Sequence, residues 1–309
     1  MIAGKNARAT LFSLYNSDFM AQGACPKSVA IISKPAKPEL ADILPQLFEW
    51  LDQHHYRVLI DRETAAYTNG REIVERGNIG ERKPDYAIVL GGDGTLLAAA
   101  RSVAKADVPI LGVNLGTLGF LTEVPVAELY SALAAIDAKH YLLDCRSMVS
   151  CQLLREGECI ASYDALNDAI VNKVSIARLA SLDLYIDDMF VSNYKADGMI
   201  IATPTGSTAY SVAAGGPILM PSVEAFVVTP VSPHSLTHRP LVVRDSSTVV
   251  VLVSTEQEAA FLSIDGQVGM ELRDGDRIVC RKSQHTVKLM RISKTFFDVL
   301  RTKLKWGQR

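Results

Sequence analysis

Three short runs of this sequence gather residue types that can do chemistry. In the first, the apolar stretch Tyr86–Leu90 leads into Gly91-Gly92-Asp93-Gly94-Thr95 and then a run rich in Ala and Leu. A buried strand passing through a glycine turn into a helix lets backbone approach a ligand closely, and free N–H groups at a helix start attract phosphate. Gly91, Gly92, Gly94 and Thr95 are therefore read as a phosphate loop. Asp93 is the oddity, because a carboxylate 4 Å from a phosphate is repelled by about 1 kcal/mol in water and about 4 kcal/mol at an effective dielectric near 20. It calls for a metal or a proton, or else it caps a helix beginning near Thr95. The sequence lacks the G-x-x-x-x-G-K-[ST], G-x-G-x-x-G, H-R-D and D-F-G patterns.

The second run is Asn167-Asp168, an amide and an acid that interrupt the apolar stretch Ala165–Val171. Such a pair turns a chain through its own hydrogen bonds, or binds ribose hydroxyls and an adenine amine. The third and longest is Asp197–Ser211, closing with Gly215-Gly216-Pro217. Thr203, Thr205, Ser207, Thr208 and Tyr210 follow an apolar strand there, so hydroxyls either cap local backbone or gather as donors for a nucleotide. Between the first two runs, Asn114–Phe120 follows the apolar Ile110–Val113. Phe120 is placed to stack on a nicotinamide or adenine ring, or to join the core.

Two textures of chain must position these runs. From Ser28 onward, apolar strands at Val29–Ser33, Arg57–Asp61, Tyr86–Leu90 and Pro109–Val113 alternate with helical stretches at about Glu39–His54, Thr95–Lys105 and Val126–Asp137. That alternation predicts an α/β region around a mainly parallel sheet. After about Asp144 the pattern becomes short β-rich segments, at Ser147–Leu154, Ala165–Val171, Ser181–Ile186, Leu241–Ser254, Ala260–Ile264 and Arg277–Arg281, which predicts an all-β, sandwich-like region. Asp187-Asp188 and Asp274-Gly275-Asp276 are the expected turns. Ser293–Trp306 carries Phe297, Leu300 and Leu304 on one stripe, predicting a final helix that returns to the first domain. The expected division is a loose extension over 1–26, an α/β domain over 27–122 joined by 293–309, and a β-rich domain over 123–292.

Composition limits the partners. With 32 Lys and Arg against 34 Asp and Glu among 309 residues, the net charge of -2 gives no field for a nucleic-acid backbone or an anionic membrane. Neither a secretory signal nor a spanning segment is read, and the 5 cysteines form no C-x-x-C pair, which fits reduced thiols in a cytoplasm. The 6 histidines have no metal-ligand spacing, so no metal held by the protein alone is expected.

Taken together, the motifs resemble those of the NAD kinase family. The family's Gly-Gly-Asp-Gly stands at Gly91–Gly94, its Asn-acid pair at Asn167-Asp168, and its Thr-Pro-Thr-Gly-Ser-Thr-Ala-Tyr at Thr203–Tyr210. Similar stretches also run over Asn114–Thr122 and Pro233–Val242, and the likeness extends from about Lys27 to Trp306. The resemblance implies transfer of the γ-phosphoryl group of ATP to the 2′-hydroxyl of the adenosine ribose of NAD, with a divalent cation, Mg²⁺, accompanying ATP. Asp93 is then the general base that takes the hydroxyl proton.

By the same resemblance, Asp93, Gly94, Phe120, Asn167, Asp168, Asp197, Thr205, Thr208, Ala209, Tyr210, Ser211, Val212 and Ala213 contact NAD. Lys195 stands where related bacterial members often carry Arg, and Arg178 where some carry His. Both are included as NAD contacts, and Arg178 otherwise reads as a solvated surface residue. Gln267 reaches NAD from a neighbouring subunit of a homo-oligomer, dimer or tetramer, or merely sits in a hairpin turn. Two other readings stay open at this point. One is a lipid or sugar kinase sharing the glycine loop, against which Asn167-Asp168 and Thr203–Tyr210 speak. The other is a non-catalytic NAD-binding regulator, which would not need Asp93.

Overall fold

A computed structural model describes residues 28–68, 70–173, 180–254 and 260–306. The expected 1–26 extension and Arg178 lie outside the described residues. The chain opens with β1 (Ser28–Ser33), α1 (Leu40–Gln53), β2 (Arg57–Ile60), α2 (Arg62–Ala65), β3 (Glu72–Ile73), β4 (Tyr86–Gly91), α3 (Asp93–Val103), β5 (Ile110–Asn114), β6 (Val124–Pro125) and α4 (Leu129–Asp137). These strands pair in parallel in the order β3-β2-β1-β4-β5-β6. The near-continuous apolar run of β4 reflects burial on both faces. Tyr86, Ile88 and Leu90 pack with Leu44, Leu47 and Leu133, whereas Ala87 and Val89 pack with Leu96, Ala100 and Val103. β1, β4 and β5 end on one edge, the place where open α/β sheets hold ligands.

The second region comprises β7 (Leu142–Arg155), β8 (Glu158–Ala165), β9 (Asp168–Lys173), β10 (Ala180–Ile186), β11 (Met189–Ala196), β12 (Gly198–Ala202), α5 (Tyr210–Ala213), β13 (Ala225–Val231), β14 (Leu241–Arg244), β15 (Val249–Ser254), β16 (Ala260–Ile264), β17 (Val268–Leu272) and β18 (Arg277–Arg291). One antiparallel sheet has the order β14-β13-β12-β9-β16-β17. It faces a second built from β11, β10, β15, β18, β7 and β8, with Val149, Leu184, Ile201, Phe226, Val251 and Leu262 in the core between them. Asp187 and Asp188 form the β10–β11 turn with φ of 50° and 63°, the left-handed pair that a tight hairpin requires.

Several expected boundaries shift. β18 runs on to Arg291, and Leu289 pairs in parallel with Ile110 of β5. The parallel sheet and half of the sandwich are thus one twelve-stranded sheet, and the divide expected at 292/293 falls just past a strand that both regions share. Ala165–Val171 is not one strand, because the chain turns at Leu166-Asn167 from β8 into the other sheet at β9. Leu241–Ser254 likewise breaks into β14 and β15. The last described helix is α6 (Phe296–Leu304), started by a reciprocal Thr295–Asp298 cap, with the Lys303 ammonium 5.6 Å from the Phe120 ring centroid.

Candidate active site

The glycine loop joins β4 to α3 with little room inside and open space outside. A Cβ on Gly91 would lie 2.4 Å from Thr95 Oγ1, whereas nothing stands within 4 Å of one on Gly92. Asp93 is the first residue of α3, and the helix cap is Gly92, so the alternative in which Asp93 caps a helix starting near Thr95 does not hold. Its side chain crosses instead to the segment after β5. Oδ2 accepts from Phe120 N at 2.8 Å; Oδ1 accepts from Leu121 N and Thr122 N at 3.0 Å and from Thr122 Oγ1 at 3.1 Å. Asn114 braces that segment, donating through Nδ2 to Thr122 Oγ1 at 2.9 Å and accepting from Gly116 N at 2.6 Å. Gly119 has to be glycine here, since a Cβ would sit 2.0 Å from Asp93 Oδ1. Each carboxylate oxygen offers two lone pairs, so Oδ2, with one donor, keeps one for a further proton.

The opposite wall is the corner between β8 and β9. The Asp265 carboxylate gathers its backbone, accepting from Leu166 N at 3.2 Å, Asn167 N at 2.7 Å and Asp168 N at 3.2 Å. The carboxamide of Asn167 and the carboxylate of Asp168 have no hydrogen-bond partner among the described residues, although Asp168 is only 3 % exposed. Burial, and secondarily the charge of Asp265, push the Asp168 carboxyl up to about 7. Burial also raises Asp265, against the pull of its N–H donors and Arg101.

A turn links the two walls. Arg101 of α3 donates to Asp265 Oδ2 at 3.0 Å and to Gln267 Oε1 at 2.5 Å, while Gln267 Nε2 donates to Gly94 O at 2.5 Å. Gln267 thus spans the glycine loop of its own chain, at a turn where Asp265 and Gly266 adopt φ of 51° and 63°.

The hydroxyl run is mostly framework. Thr203 Oγ1 donates to Leu166 O at 2.6 Å and accepts from Gly206 N; Ser207 Oγ donates to Pro204 O at 2.6 Å and accepts from Leu219 N. Thr208 Oγ1 donates to Thr205 O, and Ser211 is buried with its hydroxyl 2.9 Å from that of Thr229. The expected concentration of free donors is therefore corrected, because local backbone takes most of these protons. Ala209 and Val212 are half-buried, and Tyr210 and Ala213 are exposed on and beside α5. The run is pressed against the corner: a Cβ on Gly206 would lie 2.0 Å from Asn167 O. Farther along, Lys173 Nζ sits 2.6 Å from Asp197 Oδ1 and holds that carboxyl below its usual range, while Lys195 is exposed.

Beside the glycine loop lies a cleft of about 330 Å³ lined by Lys34, Pro35, Arg76, Gly92, Gly94, Thr95, Ala98 and Gln267. Arg76 is fixed by Asp61, at 2.6 Å and 2.9 Å, and by Ser33 O at 2.9 Å. The Lys34 ammonium has no partner among the described residues. Lys34, Arg76, Arg101 and Asp265 escaped the sequence reading, and the one available signal was Lys34 just past the end of β1. No group of three or more His, Cys, Asp or Glu among the described residues is arranged to hold a metal. No described helix is long and apolar enough to cross a membrane.

Comparison with known proteins agrees with this fold. Residues 29–141 match the family model of the ATP-NAD kinase N-terminal domain, and residues 166–292 that of the ATP-NAD kinase C-terminal domain. The chain is 59 % identical over 283 residues to the NAD kinase of Koribacter versatilis, covering 92 % of this chain and 99 % of that protein. It is 51 % identical to the NAD kinase of Acidobacterium capsulatum, covering 92 % and 100 %. Among solved structures, yeast NADH kinase complexed with NADH superposes with a TM-score of 0.83 at 27 % identity, covering 93 % of this chain and 90 % of that one. An Archaeoglobus fulgidus NAD kinase in complex with ATP shares the fold, with a TM-score of 0.71 at 24 % identity over 90 % and 98 % of the two chains.

Proposed function

Since this chain belongs to the ATP-NAD kinase family and is an NAD kinase by that kinship, we propose that its reaction takes place between the glycine loop and the Asn167–Asp168 corner, with Asp93 as general base. The observation that carries this reading is the fixed Asp93 carboxylate, held at four points with one lone pair of Oδ2 left over. A ribose hydroxyl is a poor nucleophile. Asp93 Oδ2 takes the proton of the adenosine 2′-hydroxyl as that oxygen bonds to the γ-phosphorus of ATP. The bond from phosphorus to the β,γ-bridging oxygen breaks with its electron pair going to ADP, and NADP is formed.

The two walls divide the substrates. Asn167 and Asp168, whose side chains have no hydrogen-bond partner among the described residues, face the adenylate part of NAD, with Phe120, Thr205, Tyr210 and the rest of 208–213 around it. Yeast NADH kinase, solved with NADH, supports a dinucleotide in this fold. On the other wall, Gly92 and Gly94 offer open backbone N–H groups, and Lys34 and Arg76 offer positive charge, for the triphosphate. A divalent cation would accompany the ATP phosphates, and when bound it would neutralise charge near Asp93. A cytoplasmic homo-oligomer, dimer or tetramer, completes the reading.

The test is formation of NADP from NAD, ATP and Mg²⁺, detected with an NADP-specific dehydrogenase. Production that ceases with EDTA and resumes with Mg²⁺ is expected. Tight NAD binding without product would favour a non-catalytic NAD-binding protein.

A further inference from the structure

Thr205 differs from its neighbours in the hydroxyl run. Thr203, Ser207 and Thr208 each give their proton to a backbone carbonyl. Thr205 Oγ1 instead accepts, from Arg146 Nη1 at 3.1 Å. Its own proton goes to no acceptor among the described residues. A hydroxyl that accepts from a guanidinium is polarised, which makes it a stronger donor in turn.

Arg146 is itself held with little freedom. It is 2 % exposed, and its Nε and Nη2 form a two-point pair with Asp144 at 2.9 Å and 2.7 Å. Asp144 Oδ2 also accepts from Arg291 Nε at 3.1 Å, and Arg291 Nη1 pairs with the buried Glu123. Glu123 directly follows Thr122, whose N–H and hydroxyl hold Asp93. A row of alternating charges, Glu123, Arg291, Asp144 and Arg146, therefore runs from the segment that fixes the base to a single hydroxyl of the opposite wall. β7 and β18 supply its middle members from adjacent strands. Burying two guanidinium groups is costly unless both are paired, and only the Thr205 contact faces away from the row.

We infer that Arg146 is a positioning residue for the nucleotide: it fixes and polarises the Thr205 hydroxyl so that this hydroxyl donates to an acceptor atom of bound NAD. This assignment rests on the NAD-kinase reading of the site. The three guanidinium nitrogens of Arg146 are already engaged by Asp144 and Thr205, so its effect is transmitted through Thr205. The row that anchors it also sets the distance between that donor and the base.

Four variants test the idea: Thr205→Val, Thr205→Ser, Arg146→Lys and the double Arg146→Lys/Thr205→Val. Steady-state kinetics is combined with NAD titration by calorimetry. One charge-assisted hydrogen bond lost corresponds to about a tenfold rise in NAD KM and Kd for Thr205→Val and for Arg146→Lys. In both, kcat and the KM for ATP are expected to change little. Thr205→Ser, which keeps the hydroxyl, restores wild-type NAD affinity. The double variant is no worse than the weaker-binding single variant, because both remove one interaction.

Unchanged NAD affinity in Thr205→Val, or additive losses in the double variant, would overturn the proposal. Should Arg146→Lys not fold, the Val and Ser variants at 205 still decide it, since both retain the buried arginine. Calorimetry separates this inference from the parent reading. A wild-type protein that makes no NADP refutes the kinase chemistry, while the NAD affinities still decide the role of Arg146.

Discussion

Replacing Gly119 by alanine acts on the base without touching it chemically. The added carbon would lie 2.0 Å from Asp93 Oδ1, 2.4 Å from Thr122 Oγ1 and 2.7 Å from Asp93 Cγ. Contacts under 3.0 Å are not tolerated, so carboxylate and segment must part by at least about 1 Å. The backbone at Gly119 is not left-handed, so alanine brings no torsional penalty of its own, and the whole effect comes from this collision. Of the four bonds to Asp93, those to Oδ1 are lost or stretched first. Asp93 is only half-buried, so water replaces part of what is lost, and a stability cost of roughly 1–3 kcal/mol follows. The catalytic cost is larger, because misplacement of a reacting group by about 1 Å costs on the order of 10²-fold in rate. NADP formation in the coupled assay should therefore fall about a hundredfold in kcat, with a much smaller rise in the KM for NAD, because Phe120 shifts with the segment while the corner at 167–168 is untouched. Gly116→Ala, whose new carbon meets nothing closer than 3.9 Å, is the control and should behave as wild type. A folded Gly119→Ala enzyme with kcat near wild type would refute the claim that the 119–122 segment positions the base.

Gly206→Ala presses a carbon to 2.0 Å from Asn167 O and 2.5 Å from its carbonyl carbon, atoms of backbone that cannot rotate away. It should lower the melting temperature by an overpacking cost of about 1–3 kcal/mol and weaken NAD binding; an unchanged melt and KM would contradict the close packing of run and corner. Asp168 titrates from an ordinary value of 3.8 when unfolded to about 7 when folded, so the folded state binds the extra proton between these values. The cost of burying its charge is absent below the lower value, grows as pH rises to about 7 and is constant above that at roughly 4 kcal/mol. The melting temperature of Asp168→Asn relative to wild type should therefore rise between pH 5 and pH 8, and a difference independent of pH would count against a buried, proton-binding Asp168. Lys34→Met removes a charge from the glycine-loop cleft and should raise the KM for ATP about fivefold, leaving that for NAD alone, as steady-state kinetics with each substrate varied will show; equal changes in both would move Lys34 out of the triphosphate site.

Local patterns carried much of this fold, and long-range partnerships did not. The strand–glycine–helix unit at Tyr86–Val103 was legible because a doubly buried strand is continuously apolar and its end is marked by glycines. β18 was legible only to Arg281, because its register slips between Lys282 and Thr286 and the polar Ser283-Gln284-His285 conceals the strand's continuation. That concealed half is what joins the two regions into one sheet. In the site, Asp93 and Asn167-Asp168 stood out by chemical type. Their supports did not, since Arg101 meets Asp265 across 164 residues and Arg291 meets Glu123 across 168. The hydroxyl run misled in one respect: its composition is that of a ligand site, yet most of its protons go to nearby carbonyls.

The central claim is that a fixed carboxylate, Asp93, takes the proton of the nucleotide hydroxyl. Asp93→Asn keeps the size of the side chain and removes its basicity, so the decisive measurement is kcat for NADP formation beside the calorimetric Kd for NAD in this one variant. General-base catalysis predicts kcat lower by about 10²–10⁴-fold with NAD affinity close to wild type. Parallel losses in both, or a kcat within a few-fold of wild type, would show that Asp93 holds the loop together and does not take part in the chemistry.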